Sequence, residues 1–136
     1  MGDHPLEIKL KPWGREIWFA YNDKYAGKIL EINKGHRYSL QYHEKKQETQ
    51  YIYSGKVKLT FGTDKEQLEE KILGPGEKFE VHPYIIHRLE ALEDSQVVEV
   101  STPELDDVVK LDDDYGRSGK GNNHNLDNQL HKSNIT

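Results

Sequence analysis

The sequence predicts an all-β protein: a sandwich or barrel of short antiparallel strands, followed by a polar C-terminal tail. Three observations carry this expectation. Apolar, β-branched and aromatic residues alternate with polar ones from Arg15 to Val100, Gly and Pro turns interrupt the alternation at close intervals, and long helical patterns are missing. At 136 residues the chain is long enough for one domain and too short for two independent cores with a linker.

The elements follow in order. From Arg37 to His43 a period of two puts Arg37, Ser39, Gln41 and His43 on one face of a strand, and Tyr38, Leu40 and Tyr42 on the other. Tyr51, Ile52 and Tyr53 run into Ser54-Gly55, after which Val57, Leu59 and Phe61 alternate with Lys56, Lys58 and Thr60, a pattern that predicts a hairpin with one buried face. Residues 63–71, TDKEQLEEK, offer only Leu68 for burial and are expected to form a polar loop or a single turn. Phe79 and Val81, then Val97, Val98 and Val100, mark two further strands, with Gly74-Pro75-Gly76 and His82-Pro83-Tyr84 as turns. Residues 1–117 are thus expected to form the folded domain. Residues 118–136, rich in Asn and poor in apolar side chains, are expected to be a mobile tail, because they bury too little surface to offset the entropy of ordering. Gly119-Lys120-Gly121 within it lacks the preceding apolar strand and the Lys-Ser/Thr pair of a phosphate loop.

Composition excludes several functions. With 24 Asp and Glu against 19 Lys and Arg, net charge −5, the chain has no broad basic face for a nucleic-acid backbone. There is no cysteine, so disulfides and thiolate metal sites are excluded. No run of about 18 apolar residues predicts a membrane span, and MGDHPLEIKL lacks the apolar stretch of a signal peptide, so a soluble cytoplasmic protein is expected.

If the strand from Arg37 to His43 turns its polar face into a barrel, Gln41 and His43 need partners there, and a metal ion is one. Glu48 follows across the polar bend Glu44-Lys45-Lys46-Gln47, and His87 supplies a second imidazole from a distant strand. Two imidazoles, a carboxylate and an amide oxygen make a ligand set for Zn, Mn, Fe, Co or Ni. Spacing alone leaves other readings open: core imidazoles hydrogen-bonded to backbone, a surface carboxylate and an exposed amide. Arg88 and Arg37 are candidates for holding a substrate phosphate, with ion pairs to Glu90 or Glu48 as the alternative.

The stretch Gly35, Gln41-Tyr42-His43, Glu48, Gly55 resembles the first motif of the cupins, with Gln41 where the first His usually stands. Gly76 to His87 is similar to their second motif, with His82 in place of Pro and Tyr84 in place of Gly. Lys11-Pro12-Trp13-Gly14, Ser39 to His43, Glu48, His87 to Glu90, Glu99-Val100 and Asp113 to Arg117 resemble the isomerase domain of type II mannose-6-phosphate isomerases. The resemblance implies a cupin-type jelly-roll barrel whose metal is held by Gln41, His43, Glu48 and His87. It implies an aldose-ketose isomerase of a sugar phosphate, most directly mannose 6-phosphate to fructose 6-phosphate; the sequence does not identify the base, for which His36, His82 and Glu99 are open candidates. No Gly-rich nucleotidyltransferase segment precedes this region, so guanylyl transfer is not expected. The two-His, one-Glu set also suits a non-haem Fe(II) oxygenase, and a non-catalytic sugar-binding module is a third reading. Outward-facing Tyr38, Leu40 and Tyr42 would need cover, so a homodimer through that face or the N-terminal segment is expected.

Overall fold

A computed structural model describes residues 5–135. Two six-stranded antiparallel sheets face each other. The first runs in the order β1 (Glu7–Lys11), β2 (Gly14–Tyr21), β3 (Ala26–Ile32), β10 (Ser95–Ser101), β5 (Glu48–Ser54), β8 (Lys78–Val81). The second runs β12 (Gly119–Lys120), β11 (Val109–Asp112), β4 (Leu40–Tyr42), β9 (Ile86–Ala91), β6 (Val57–Gly62), β7 (Glu69–Leu73). Among the described residues a single helix, α1 (His124–Asn134), follows. This is the jelly-roll architecture that the cupin resemblance implies. Among the described residues no helix is long and apolar enough to cross a membrane.

Cross-strand register explains how the interior divides. Glu16, Leu30, Val97 and Ile52 lie in one inward-facing row of the first sheet, and Trp18, Lys28, Glu99 and Gln50 in the next. The apolar half joins Trp13, Ile32, Leu59 and Leu89 in the main core, where close packing supplies the hydrophobic stabilisation. The other half of the barrel is lined by charge. On the outer face of the same sheet, Ile8, Ile17, Ile29, Val98 and Tyr51 form a continuous cross-strand row.

Four expectations are corrected. β5 and β6 are not a hairpin: they belong to opposite sheets, and the chain crosses between them at Gly55. Gly55 has φ 91°, and a Cβ there would strike Ser95 and the Asp94 carbonyl, so the crossing requires glycine. The polar stretch 63–71 is only partly a loop, because β7 begins at Glu69 and pairs along β6, its exposed charges suiting an edge strand. Tyr38 and Leu40 do not face outward. They are 5% and 6% exposed, since the chain is irregular before β4 and the strict alternation fails there. Two of the three residues that motivated the homodimer are therefore covered within the chain, while Tyr42 is half-buried against Tyr84.

The fourth correction concerns residues 118–136, read as mobile. Gly119–Lys120 pairs with β11, and α1 is capped by the Asn123 side chain and docks on β1. Docking is polar: Asp127 accepts from Lys11 Nζ at 2.9 Å and pairs with Arg117 Nη1 at 3.3 Å, and His131 Nδ1 is 2.9 Å from the carbonyls of Lys11 and Gly14. A count of apolar residues misses an element held by buried ion pairs.

Candidate metal centre

The second sheet places Lys110, Gln41, His87 and Phe61 in one cross-strand row. His43 follows the end of β4, and Glu48 opens β5 on the facing sheet. The bend between them is fixed by Asp107, whose carboxylate accepts the backbone N–H groups of Glu44, Lys45 and Lys46 at 3.1, 2.7 and 2.9 Å. Burial pushes the Asp107 carboxyl up, and these N–H donors outweigh it and hold it below the usual range. This clamp turns Lys46 and Glu48 inward.

His43, Glu48 and His87 converge. Glu48 Oε1 is 3.1 Å from both His43 Nε2 and His87 Nε2, the two rings are 5.1 Å apart, and all three residues are buried. The far ring nitrogens face carbonyls, His43 Nδ1 with Asp107 O at 2.6 Å and His87 Nδ1 with Ile85 O at 3.0 Å. A carbonyl only accepts, so in the neutral rings each Nδ1 carries the proton and each Nε2 presents a lone pair. Two lone pairs and a carboxylate then meet with no donor among them, and His87 Nε2 has no hydrogen-bond partner although buried. Its 3.1 Å separation from Glu48 is a close approach without hydrogen-bond geometry. Such an arrangement calls for a cation. These residues fit a divalent metal, with backbone carbonyls orienting both imidazoles from behind.

Electrostatics around the trio are set by buried charge. Burial pushes the Glu48 carboxyl up, but the Lys46 ammonium beside it holds it well below the usual carboxylate range. Burial lowers the His43 imidazole, keeping it neutral as a ligand must be. Lys46 Nζ lies 2.9 Å from Glu99 Oε2 and 3.4 Å from Glu48 Oε2. Glu99 also accepts from Gln50 at 2.9 Å, and burial together with Glu48 raises its carboxyl to about 7. Beyond it, Lys28 and Trp18 donate to Glu16 at 3.0 and 2.9 Å. A cavity of about 50 Å³ opens against His43, Gln41, Lys46 and Glu99 and extends to Lys110 and Arg117.

The other expected site residues are placed as follows. Gln41 lies beside His87 across the β4–β9 pair and lines the cavity, its Oε1 accepting from Ser39 at 2.6 Å. Arg37 and Arg88 are both engaged outside the cavity. Arg37 forks onto Asp114 with two bonds of 2.8 Å, and Arg88 donates to the carbonyls of Tyr38 and Asp112 at 2.8 and 3.0 Å. They join chain segments instead of facing a substrate. Among the three candidate bases, His36 bonds the Tyr115 hydroxyl at 2.7 Å and His82 is exposed near Glu80; Glu99 alone of the three lines the cavity. Lys46, Glu16 and Lys28 escaped sequence reasoning. Parity held a signal for two of them, because Glu16 shares a face with Trp18, and Lys28 with Leu30 and Ile32.

Residues 4–113 match the family described as mannose-6-phosphate isomerase C-terminal. No curated protein matches the chain. Solved structures with the same fold include KdgF from Halomonas sp., 21% identical over 76% of this chain and 89% of that one, TM-score 0.64. The capsular polysaccharide assembling protein CapF from Staphylococcus aureus is 19% identical over 80% of this chain and 35% of its own, TM-score 0.66. An RmlC-like cupin from Shewanella frigidimarina is 14% identical over 77% of this chain and 96% of its own, TM-score 0.65.

Proposed function

From the premise that the chain belongs to the mannose-6-phosphate isomerase C-terminal family of cupins, we propose that it is a metal-dependent aldose-ketose isomerase of a sugar phosphate, with mannose 6-phosphate to fructose 6-phosphate as the reaction. The observation that carries this reading is the donor-free meeting of His43 Nε2, His87 Nε2 and Glu48 Oε1 beside a polar cavity.

His43, Glu48 and His87 would hold a divalent ion, with Gln41 as a further oxygen ligand. Bound there, the ion supplies Lewis-acid stabilisation for the negative charge that develops on the sugar oxygens during enolisation. The chain's own residues do the rest. Nδ1–H bonds to Asp107 and Ile85 fix the imidazoles, so the lone pairs need no reorganisation. Glu99, in the cavity wall and bonded to Lys46 and Gln50, takes the proton from C2 of the aldose and returns it to C1 while the O2 hydroxyl proton passes to O1, leaving no net proton change. The buried wall excludes bulk water from that transfer.

The test is elemental analysis of the purified protein, followed by a coupled assay for fructose 6-phosphate from mannose 6-phosphate with Zn, Mn, Fe, Co and Ni in turn. Metal retention and turnover that both vanish in His87→Ala support the reading; protein that retains none of the five ions, or turns over with none, overturns it. The same two-imidazole, one-carboxylate set favours a second reading, a non-haem Fe(II) oxygenase. Oxygen uptake with Fe(II), absent with Zn, would select it. The proposal further places the protein in the cytoplasm and as a homodimer, now through the outer row Ile8, Ile17, Ile29, Val98 and Tyr51, where burying a self-matching apolar strip is favourable. Sedimentation of Val98→Glu as a monomer and wild type as a dimer checks that assignment.

A further inference from the structure

The cavity has a second end. Lys110 lies in the same cross-strand row as Gln41 and His87, two strands from the metal ligand, which puts their backbones about 10 Å apart. Lys11 and Arg117 line the same cavity. All three are cations with little solvent access, and their neutralisation is incomplete. Asp127 takes Lys11 and Arg117, and Asp113 takes Arg117 again at 2.8 Å. Lys110 Nζ instead donates to neutral oxygens, the Gly121 carbonyl and Asn122 Oδ1, and among the described residues no carboxylate lies within ion-pair distance of it. Three positive groups therefore face two carboxylates, a local excess of one positive charge in a chain whose net charge is −5.

A buried ammonium without a counter-ion is costly unless something supplies the missing negative charge. Its neighbours register the deficit, since burial, Arg117 and Lys11 all push the Lys110 ammonium down, to about 8. The Lys28 and Lys46 end of the cavity is different, because there the three carboxylates of Glu16, Glu48 and Glu99 outnumber the two ammoniums. The excess is thus confined to one end, away from the metal ligands and in open connection with them.

We propose that Lys110, with Lys11 and Arg117, forms an anion site that takes the phosphate of a phosphorylated sugar, and that Asp127 of α1 is the resident counter-ion that limits its strength. The sugar's reacting carbons then lie toward His43 and Gln41, and the phosphate toward α1. Charge-assisted hydrogen bonds from ammonium and guanidinium suit a dianion far better than a neutral sugar. This role replaces the one the sequence suggested for Arg37 and Arg88. The identity of the ligand as a sugar phosphate rests on the isomerase reading, but the affinity for phosphate does not.

The experiment titrates the metal-loaded, full-length chain with inorganic phosphate in a calorimeter, with mannose as the uncharged control. Phosphate binds and mannose does not. Lys110→Gln weakens phosphate by about tenfold or more, the loss expected for one charged hydrogen bond. Lys110→Arg restores most of it, and Asp127→Asn tightens it by several-fold. Phosphate that coordinates the metal ion directly would be indifferent to Lys110→Gln, and that result overturns the inference, as does a wild-type chain that binds no phosphate. The two readings separate cleanly. Phosphate affinity that depends on Lys110 in a protein without isomerase activity leaves the anion site and removes the isomerase, whereas turnover with a KM blind to Lys110→Gln does the reverse.

Discussion

Glu48→Gln separates the demands of the metal from those of the fold. The Glu48 carboxylate touches two imidazole lone pairs at 3.1 Å and lies 3.4 Å from Lys46 Nζ. Around it, three carboxylates (Glu16, Glu48, Glu99) face two ammoniums (Lys28, Lys46), one negative charge in excess. An amide in its place removes that excess, supplies an N–H to a lone pair that has no donor, and leaves its oxygen for Lys46, which keeps Glu99 at 2.9 Å. The new hydrogen bond contributes about 1 kcal/mol, similar in size to the weakened Lys46 contact, so the metal-free variant should match or exceed the metal-free wild type. With metal the order reverses. An ion present at a thousand times its Kd stabilises the wild type by about 4 kcal/mol, a Tm rise of the order of 10 °C for a chain of this size. The variant, its only anionic ligand gone, should lose most of that rise. Thermal unfolding with and without chelator reads both effects. A metal-free variant more than about 3 kcal/mol below wild type would make Glu48 an indispensable counter-ion of Lys46 and refute the reasoning, as would a wild-type midpoint indifferent to chelator.

Three further outcomes are expected. In metal-free protein, Glu99 at about 7 holds its proton in the native state while the unfolded chain releases it near 4.5, so this group's contribution makes stability fall as pH rises between those values. His43, held below 6.5 by burial, acts in the opposite sense up to about 6.5, so urea midpoints should fall between pH 6.5 and 7.5; a rising profile contradicts the assignment. Tyr84 has φ 67°, a left-handed conformation at the turn where Tyr84 stacks on Tyr42, so Tyr84→Gly should be about 1 kcal/mol more stable than Tyr84→Ala, both losing the stacking but only glycine relieving the backbone. Equal unfolding midpoints would remove that strain. Asp127→Ala leaves Lys11 and Arg117 without their shared partner and should detach α1 at a cost of about 3 kcal/mol, seen as fast amide exchange across residues 124–134 with the strands still protected.

Much of the barrel was legible because period-two alternation is a local property. Val57, Leu59 and Phe61 point inward as their spacing requires, and Phe79 and Val81 fall in a strand. What alternation does not encode is which sheet a strand joins. Ser54-Gly55 reads as a hairpin turn, yet the strands it links face each other across the core, because that choice depends on Ser95 and Asp94 packing against Gly55 from forty residues away. The three metal-site residues the structure brings together were visible through motif spacing. Their charged surroundings were not. Lys46 reads as part of a solvated run, and only the clamp from Asp107, 61 residues on, turns it inward.

The same physics accounts for the misread tail and for the two misplaced arginines. A scan for apolar residues treats polar side chains as surface, but this barrel gives one inward row of each sheet mainly to polar groups and lets the adjoining rows, Leu30, Val97 and Ile52 with Leu59 and Leu89, supply the core. Buried charges come at a high desolvation cost, so every one needs a partner, and the partners arrive from distant segments: Asp107 for the bend, Asp127 for Lys11 and Arg117, Asp112 and Tyr38 carbonyls for Arg88. Arg37 and Arg88, read in sequence as phosphate holders or ion-pair partners, are engaged by Asp114 and by backbone carbonyls. The groups left incompletely matched, His87 Nε2 at one end of the cavity and Lys110 at the other, are those for which the fold provides no counterpart, and a cation and an anion respectively would complete them.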